Sequence, residues 1–395
     1  MTARTLRAGA AIAGVADAVS PTGELDGSVR ELEVRVIREA LDDAGLSVAD
    51  VDGLAVCTSP GWAPSVDLAE HLGIAPRWTD STQTGGSSFE VHVQHAAAAV
   101  HAGLAEVVVV VYAATPRSSF KRGGTGFGSR AGVPALTAST EFEMPYALRG
   151  PMGSYALAAS RHMATYGTTA EQLAQVAVDS RTWSSRNPRA RLRDPITVDD
   201  VLASPVVASP LRKLDCCLVT DGAGAVVVTS AERARSLRKA PALVLGTGTC
   251  HTHNMISEMP DLTVTGAAVS GPLAYEAAGL GPGDVDVVQL YDSFTITIVL
   301  LLEDLGFCPK GEGGAFVAEG PLALGGSLPA NTTGGGLAYT HPGMFGMFLL
   351  VEAVRQLRGE CEDRQVADAE VALVHGSGGV LSTMSTIILG TEATA

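Results

Sequence analysis

Charged side chains are scarce in this 395-residue chain: Asp, Glu, Lys and Arg make up 17% of it, whereas apolar residues make up 46%. A soluble globular protein usually has about a quarter of its residues charged. The chain therefore hides much of its surface, either in a large core or against partners. Its length is roughly two to three times that of a typical domain, which predicts one large or two ordinary domains.

Basic residues are the minority among the charges, with 27 Lys and Arg against 42 Asp and Glu and a formal net charge of −15. So acidic a chain is repelled by phosphate backbones, and we expect no nucleic-acid partner. A local basic pocket for a phosphorylated ligand is still compatible with this balance.

Long apolar runs are absent as well. The longest aliphatic ones, at residues 107–111 and 296–302, are far shorter than the roughly 20 residues of a membrane-spanning helix. Near the N-terminus, Asp17 interrupts a weak apolar stretch that would make a poor signal peptide. We therefore expect a cytoplasmic protein with no membrane partner.

The six cysteines are scattered, at positions 57, 216, 217, 250, 308 and 361, with no CxxC pair among them. This spacing is typical of reduced thiols in the cytosol rather than of a disulfide framework. The helix histidines at 92, 95 and 101 lack ligand spacing on one face, and we predict no metal site. No cysteine lies between Cys57 and Cys216, a gap that matters below.

A short internal repeat organises the chain. Ala-Gly-Leu and Asp-Val-Asp at 44–46 and 50–52 recur at 278–280 and 284–286, with the same offset in both triplets. In each copy a helical pattern precedes the glycine and an apolar strand follows it, as expected when glycine caps a helix. The matched context predicts a duplication, with halves at 1–235 and 236–395.

Unbroken runs of Val, Ile and Leu predict strands that are buried on both faces, and they alternate with helical stretches. The chain is therefore an α/β protein. Residues from about 115 to 205 have no counterpart in the second half, and 117–130 are rich in Gly, Ser and Arg. We predict that this stretch is a loop domain inserted over the face of the sheet.

Four polar segments stand where predicted strands end and turns begin, the usual location of sites in α/β proteins. They are residues 80–88, 291–295, 331–343 and 375–379, the last predicted to include a glycine-rich turn at 376–379. The third resembles the thiolase pattern Asn-x-x-Gly-Gly-x-x-Ala-x-Gly-His-Pro, with matches at Asn331, Gly334, Gly335, Ala338, His341 and Pro342. The second and fourth resemble the Asn-Glu-Ala-Phe and Cys-x-Gly-Gly-Gly motifs.

On these motifs the chain resembles the thiolase superfamily over nearly its whole length, most closely the sterol-carrier or lipid-transfer-protein branch. The resemblance implies a duplicated α-β-α-β-α fold with an inserted loop domain. This chain also differs from the thiolase motifs at four places. The segment at 83–88, where thiolases carry the nucleophilic cysteine, has none, and His375 stands at the second cysteine. Tyr291 replaces an Asn or His, and Tyr339 replaces a Leu.

Cysteine-based acyl transfer needs a thiolate beside a base, and the motifs offer no thiol. Ser87 is a conceivable substitute, although a serine at a helix start more often caps the helix. A thiolase-like pocket with two added tyrosines resembles the lipid-transfer-protein aldolases of sterol side-chain degradation. The resemblance implies retro-aldol cleavage of a β-hydroxyacyl-CoA to a ketone and a shorter acyl-CoA. That reaction needs a base, an oxyanion site and an acid, but no covalent intermediate.

The resemblance suggests roles for particular residues. We expect Tyr339 to be the general base on the hydroxyl and Tyr291 the proton donor to the enolate. A phenol is a poor base unless neighbours lower its pKa, and His341 or His375 are candidates for that or for holding the thioester oxygen. The supporting residues are Asn331, which holds a loop or a water, Asp292, which orients a neighbour, and Gly335, Gln83, Gly86 and Ser87.

Two other functions remain open at this point. One is an acyl-CoA C-acyltransferase that uses Ser or His, and the other is a non-catalytic acyl-CoA-binding or lipid-binding subunit. We expect no cofactor besides the coenzyme A of the substrate. The resemblance further implies a homodimer that assembles with a small zinc-ribbon and OB-fold protein into a heterotetramer.

Overall fold

The computed structural model describes residues 6–57, 63–122, 139–148 and 150–395. In these ranges the strands are β1 (Ala10–Ala18), β2 (Gly53–Ala55), β3 (Trp78–Asp80), β4 (Val107–Ala114), β5 (Val206–Ala208), β6 (Leu211–Arg212), β7 (Gly222–Ser230), β8 (Ala242–His251), β9 (Val287–Leu290), β10 (Val371–Gly378) and β11 (Thr383–Gly390).

The helices of the same ranges are α1 (Val29–Ala44), α2 (Pro64–Leu72), α3 (Ser88–His101), α4 (Pro116–Lys121), α5 (Pro151–Tyr166), α6 (Ala170–Ser185), α7 (Val198–Ala203), α8 (Ala231–Ala234), α9 (Ala267–Ala278), α10 (Thr295–Asp304), α11 (Gly313–Ala318), α12 (Gly335–Ala338) and α13 (Gly346–Leu357). None of the described helices is long and apolar enough to cross a membrane.

One mixed sheet connects the two halves of the described chain. Its strand order is β3-β2-β4-β7-β1-β8-β11-β10-β9, so the order β2-β4-β7-β1 of the first half is mirrored by β9-β10-β11-β8 of the second. The halves meet where Ala11 pairs with Leu243 and Ile12 with Ala242. The prediction of a duplicated α/β fold is confirmed. The predicted domain limits stay a prediction, because strands of both halves share this sheet.

The repeated glycines act as the sequence predicts. Gly45 and Gly279 cap α1 and α9 in the left-handed conformation, with φ of 77° and 68°. A short 3-10 turn and then β2 or β9 follow each cap. The sequence pattern predicts that the second of these helices begins at Pro272, but α9 begins five residues earlier, at Ala267, and Pro272 lies inside it.

Helices cover both outer faces and fill the space between the halves. α1 packs on β1 and β7, and α9 packs on β8 and β11. α3 and α13 lie against each other and contact strands of both halves. The valine-rich strands β4 and β7 are buried almost throughout. The candidate site is built around the N-terminal ends of α3 and α13.

The predicted loop domain is largely helical in the residues that the structure describes, with α4 to α7 between β4 and β5. Helix α6 packs on α10, α11 and α12 of the second half, and the indole of Trp183 donates to the carbonyl of Leu322 at 2.9 Å. Most of the arginine-rich stretch at 117–130 lies outside the described residues. The turn predicted at 376–379 was wrong in part, because β10 continues to Gly378.

Candidate active site

The segment 331–343 is tied to the end of β9 by Asn331. The side-chain oxygen of Asn331 accepts from the N–H of Leu290 at 2.7 Å, and its amide donates to the carbonyl of Leu290 at 2.9 Å. Because both groups of the amide are used on the backbone, Asn331 holds a loop position. Tyr291, the next residue after β9, is thereby fixed beside this segment.

Asp292 holds the turn that carries Tyr339 and His341. Its carboxylate accepts from the N–H groups of Gly336 at 2.7 Å and Leu337 at 3.2 Å, in the first turn of α12. Gly335 has φ of 63°, and a Cβ there would lie 2.0 Å from the Asp292 carboxylate, so only glycine fits. Burial raises the pKa of Asp292 to about 7, against the effect of these backbone donors.

Tyr291 and His341 form a buried pair. The Tyr291 hydroxyl lies 3.0 Å from Nε2 of His341, and the rings meet edge to face at 5.7 Å. Phe345 contacts both rings, stacked on the imidazole at 6.1 Å and edge to face with Tyr291 at 6.0 Å. Burial lowers the pKa of His341 to about 4 and raises the pKa of Tyr291. Both groups are therefore neutral near pH 7, and the hydrogen bond offers a path for one proton.

His341 has one free nitrogen. Among the described residues Nδ1 has no hydrogen-bond partner although it is buried. The backbone of His341 is fixed, since its N–H donates to Thr220 Oγ1 at 2.9 Å. A buried nitrogen without a hydrogen-bond partner is rare in folded proteins, and it is a natural contact for a ligand atom.

Tyr339 is held in a different environment from Tyr291. Its hydroxyl donates to the carboxylate of Asp17, which also pairs with Arg189 and Arg355 at 2.8 Å each. Although burial opposes ionisation, Arg355 and Arg189 hold the pKa of Asp17 well below its usual range. Burial and the Asp17 charge raise the pKa of Tyr339. Tyr339 therefore donates its hydrogen bond to Asp17, and this stabilised carboxylate is a poor proton acceptor.

His375 does not join the tyrosines. Its Nδ1 bonds Thr386 Oγ1 at 2.8 Å, and its Nε2 lies 3.4 Å from the sulfur of Met384. The next residue, Gly376, faces α3, so the side chain of His375 points to the opposite side of the sheet. Burial lowers its pKa to about 3. Its link to the site is the backbone, where its carbonyl accepts from the N–H of Tyr291 at 3.0 Å.

The segment at 83–88 meets Tyr291 through glycine. A Cβ on Gly86 would lie 2.3 Å from the Tyr291 ring and 2.4 Å from the carbonyl oxygen of Ser377. The hydroxyl of Ser87 contacts the carbonyl and Oγ1 of Thr84 and Oγ1 of Thr383, all at 3.1 Å. None of these is a base. Gln83 is exposed.

Two residues near the site lie outside the predicted motifs. Cys217 is half-buried, and desolvation and the Asp292 charge raise the pKa of its thiol, which therefore stays protonated. Tyr155 of α5 stacks on Phe294 at 4.5 Å. Its hydroxyl interacts with Ser293, next to Asp292. Neither residue belongs to a motif, and only the fold shows that they lie close to the site.

A cavity of about 610 Å³ opens between the inserted helices and the loop after β8. Apolar Leu148, Leu157 and Ile256 line it together with the charged Arg161 and Asp261. This volume is usual for small-molecule sites, but the lining includes neither Tyr291 nor His341, so the cavity is separate from the buried pair. In the described part of the chain, no three His, Cys, Asp or Glu side chains come together as metal ligands would.

Comparison with known families and proteins agrees with this geometry. The family described as "Thiolase, N-terminal domain" matches residues 15–232, and that described as "Thiolase C-terminal domain-like" matches residues 248–391. The chain is 37% identical to a steroid side-chain-cleaving aldolase of Thermomonospora curvata, over 97% of this chain and 98% of the relative. It is 38% identical to a 17-hydroxy-3-oxo-4-pregnene-20-carboxyl-CoA lyase of Mycobacterium tuberculosis, over 91% and 93%.

Among solved structures, a chain of the Ltp2-ChsH2(DUF35) aldolase is similar, with a TM-score of 0.87 and 35% identity over 98% of this chain and 99% of that one. The duplicated sheet, the Asn331-to-Pro342 motif and both family matches lead to one conclusion: the chain belongs to the thiolase superfamily.

Proposed function

We propose that the protein is a lyase that cleaves a β-hydroxyacyl-CoA by a retro-aldol reaction, releasing a ketone and a shorter acyl-CoA. The observation that carries the proposal is the buried Tyr291–His341 pair set against Gly86, in the segment where a thiolase has its nucleophile. Relatives 37% and 38% identical over most of this chain bear the names of an aldolase and a CoA lyase, and a steroid-like acyl group is the substrate class we favour.

The pair accounts for the proton movements. Tyr291 accepts the proton of the β-hydroxyl while its own proton passes to Nε2 of His341, 3.0 Å away. The electrons of the Cα–Cβ bond move onto the thioester as an enolate, and the ketone leaves. The proton then returns through Tyr291 to the α-carbon. This relay never requires a free phenolate, which the raised pKa of Tyr291 disfavours.

The structure leads us to exchange the roles of the two tyrosines. The sequence favours Tyr339 as the base, but the Asp17 carboxylate that receives its hydrogen bond is already paired with Arg189 and Arg355. Such a carboxylate is a weak proton acceptor. We therefore propose that Tyr291 moves the proton and that Tyr339 positions the turn that leads to His341.

Acyl transfer is the less favoured alternative. It needs an activated nucleophile, and the described contacts of Ser87 include no base. The thiol of Cys217 has a raised pKa, which suppresses the thiolate. A non-catalytic binding subunit would need neither tyrosine in a buried polar pair. Under this proposal coenzyme A enters only with the substrate.

We also propose a homodimer and a separate zinc-ribbon and OB-fold partner, together a heterotetramer. The similar solved structure is named as an Ltp2-ChsH2(DUF35) aldolase. In this chain the inserted segment exposes apolar side chains at Phe142, Met144, Tyr146 and Met152, which fits a surface that a partner covers. Size-exclusion chromatography with light scattering, with and without a co-expressed DUF35-type protein, tests both assemblies.

The activity is tested by incubating the purified protein, with and without that partner, with a panel of β-hydroxyacyl-CoA esters that have secondary or tertiary hydroxyls. Mass spectrometry should detect a ketone together with the shorter acyl-CoA. Release of free CoA with transfer of the acyl group to a second acyl-CoA, and no ketone from the hydroxy esters, would favour the acyltransferase instead.

A further inference from the structure

Glu90 is a carboxylic acid that the proposed mechanism does not use. It lies in the first turn of α3, four residues after Gly86, and its side chain is fully buried. Neither carboxyl oxygen has a hydrogen-bond partner among the other described residues. A buried polar group without a partner is rare in folded proteins and asks for an explanation.

Glycine backbones make the space for this carboxyl. A Cβ on Gly376 of β10 would lie 2.3 Å from its Oε2, and a Cβ on Gly346 would lie 2.5 Å from both oxygens. The same point at Gly346 is 2.5 Å from the carbonyl oxygen of Gly86. The carboxyl therefore occupies a slot between the start of α13, β10 and the turn that precedes α3, and a side chain at either Gly346 or Gly376 would displace it.

Among the residues that the structure describes, no charged group pairs with Glu90. The titratable side chains on the elements packed against it bind elsewhere: Asp17 to Arg189 and Arg355, Asp80 to His95, His92 to the Thr82 carbonyl, Tyr112 to the Pro342 carbonyl, Tyr291 to His341, Glu352 to Arg364 and His375 to Thr386. An unpaired carboxylate in such a slot is far less stable than the neutral acid.

We infer that Glu90 is a positioning residue of this site, which as a neutral acid fills the slot between Gly346 and Gly376 and holds Gly86 against the ring of Tyr291. Gly86 is the contact that sets the Tyr291 hydroxyl at His341, since a Cβ on Gly86 would overlap that ring. Ionisation of Glu90 would draw water or a counter-ion into the slot and move this turn. The kinetic part of the inference rests on the proposed function.

Burial raises the pKa of Glu90 to about 8, and the stability of the folded state should therefore depend on pH. An unfolded Glu has a pKa near 4.3, so the folded chain binds one more proton between about pH 4 and 8. The folded state therefore loses stability as the pH rises through that range. Glu90→Gln removes this loss, because the amide does not titrate.

The test compares the wild type with Glu90→Gln, and with Glu70→Gln as an exposed control. We expect the thermal stability of E90Q to exceed that of the wild type by a margin that grows from pH 5 to pH 9, and E70Q to follow the wild type. If E90Q does not fold, Glu90→Met, of equal length and without charge, takes its place. A margin that does not grow with pH would overturn the inference, whether or not the protein is a lyase.

The kinetic arm uses the CoA ester that the wild type cleaves best. Above about pH 8, kcat/KM of the wild type should fall by about tenfold per pH unit, as for a single ionisation, while that of E90Q stays level, with the effect in kcat rather than KM. Identical profiles for the two proteins would overturn the positioning role even where the stability margin is present. Absence of cleavage in every variant, with the stability margin intact, would count against the proposed function alone.

Discussion

The hydroxyl of Tyr291 and Nε2 of His341 lie 3.0 Å apart in the protein interior, where both side chains are almost inaccessible to solvent. The pair brings together the residue after β9 and the turn after α12, 50 residues apart in sequence. Burial lowers the pKa of His341 and raises that of Tyr291. Both side chains are therefore neutral, and the proton of their hydrogen bond can move between the phenol oxygen and Nε2.

Tyr291→Phe should reduce kcat/KM by about 10² to 10⁴-fold, the usual contribution of a general acid–base group. The ring packing on Phe345 is retained, so the circular dichroism spectrum and melting temperature should change little. Tyr275→Phe is the matched control, because it also removes a buried tyrosine hydroxyl, one that donates to the carbonyl of Leu305 at 3.1 Å. Cleavage by Y291F at the wild-type rate would remove Tyr291 from the mechanism.

Tyr339→Phe should act mainly on stability. Removing the hydroxyl leaves the buried Asp17 carboxylate without one of its donors, which costs about 1 to 3 kcal/mol. Urea unfolding measures this loss, and steady-state kinetics on the folded variant should show a smaller decrease than for Y291F. The opposite order, with Y339F inactive and Y291F active, would restore Tyr339 as the base.

Activity should decline at acid pH because protonated His341 cannot accept the proton of Tyr291. With a pKa of about 4, the neutral imidazole dominates at pH 6 and is lost as the pH falls through 4. The kcat/KM profile should therefore be flat from pH 6 to 7 and fall below about pH 5. Circular dichroism at each pH distinguishes this decrease in kcat/KM from acid unfolding. If His341→Gln shows the same decrease at acid pH, another group is responsible for it.

Ser87→Ala and Cys217→Ala should both retain most of the activity, because the described contacts of Ser87 include no base and the raised pKa of the Cys217 thiol keeps it protonated. Intact-protein mass spectrometry after incubation with an acyl-CoA should show no acylated enzyme. An acyl adduct that disappears in one of the two variants would identify a nucleophile and favour acyl transfer.

The motifs predicted the fold and the backbone positions of several candidate site residues, because they record local backbone requirements. Gly45 and Gly279 end two helices with left-handed φ angles. Because glycine adopts this conformation most readily, such a helix end can be recognised from the sequence alone. Asn331 and His341 belong to one loop, so that a single motif places both.

The rest of the site depends on contacts that no local pattern records. The partner of Tyr339 is Asp17, on the first strand of the chain. His375 was predicted to act beside the tyrosines, but β10 runs on to Gly378, and strand alternation turns its side chain toward Thr386. Nothing in the sequence marks Glu90, because the space for its carboxyl is made by glycines that belong to two other elements, α13 and β10.

The contact between Gly86 and Tyr291 also constrains how the chain can change. A side chain at position 86 would occupy the space of the tyrosine ring, so a cysteine introduced there would disrupt the pair without gaining a base. A smaller residue at 291 alone would leave a cavity and an unpaired His341. Thiol chemistry at this site would therefore require both changes together. The close packing of the two residues makes the side chain allowed at one position depend on that at the other.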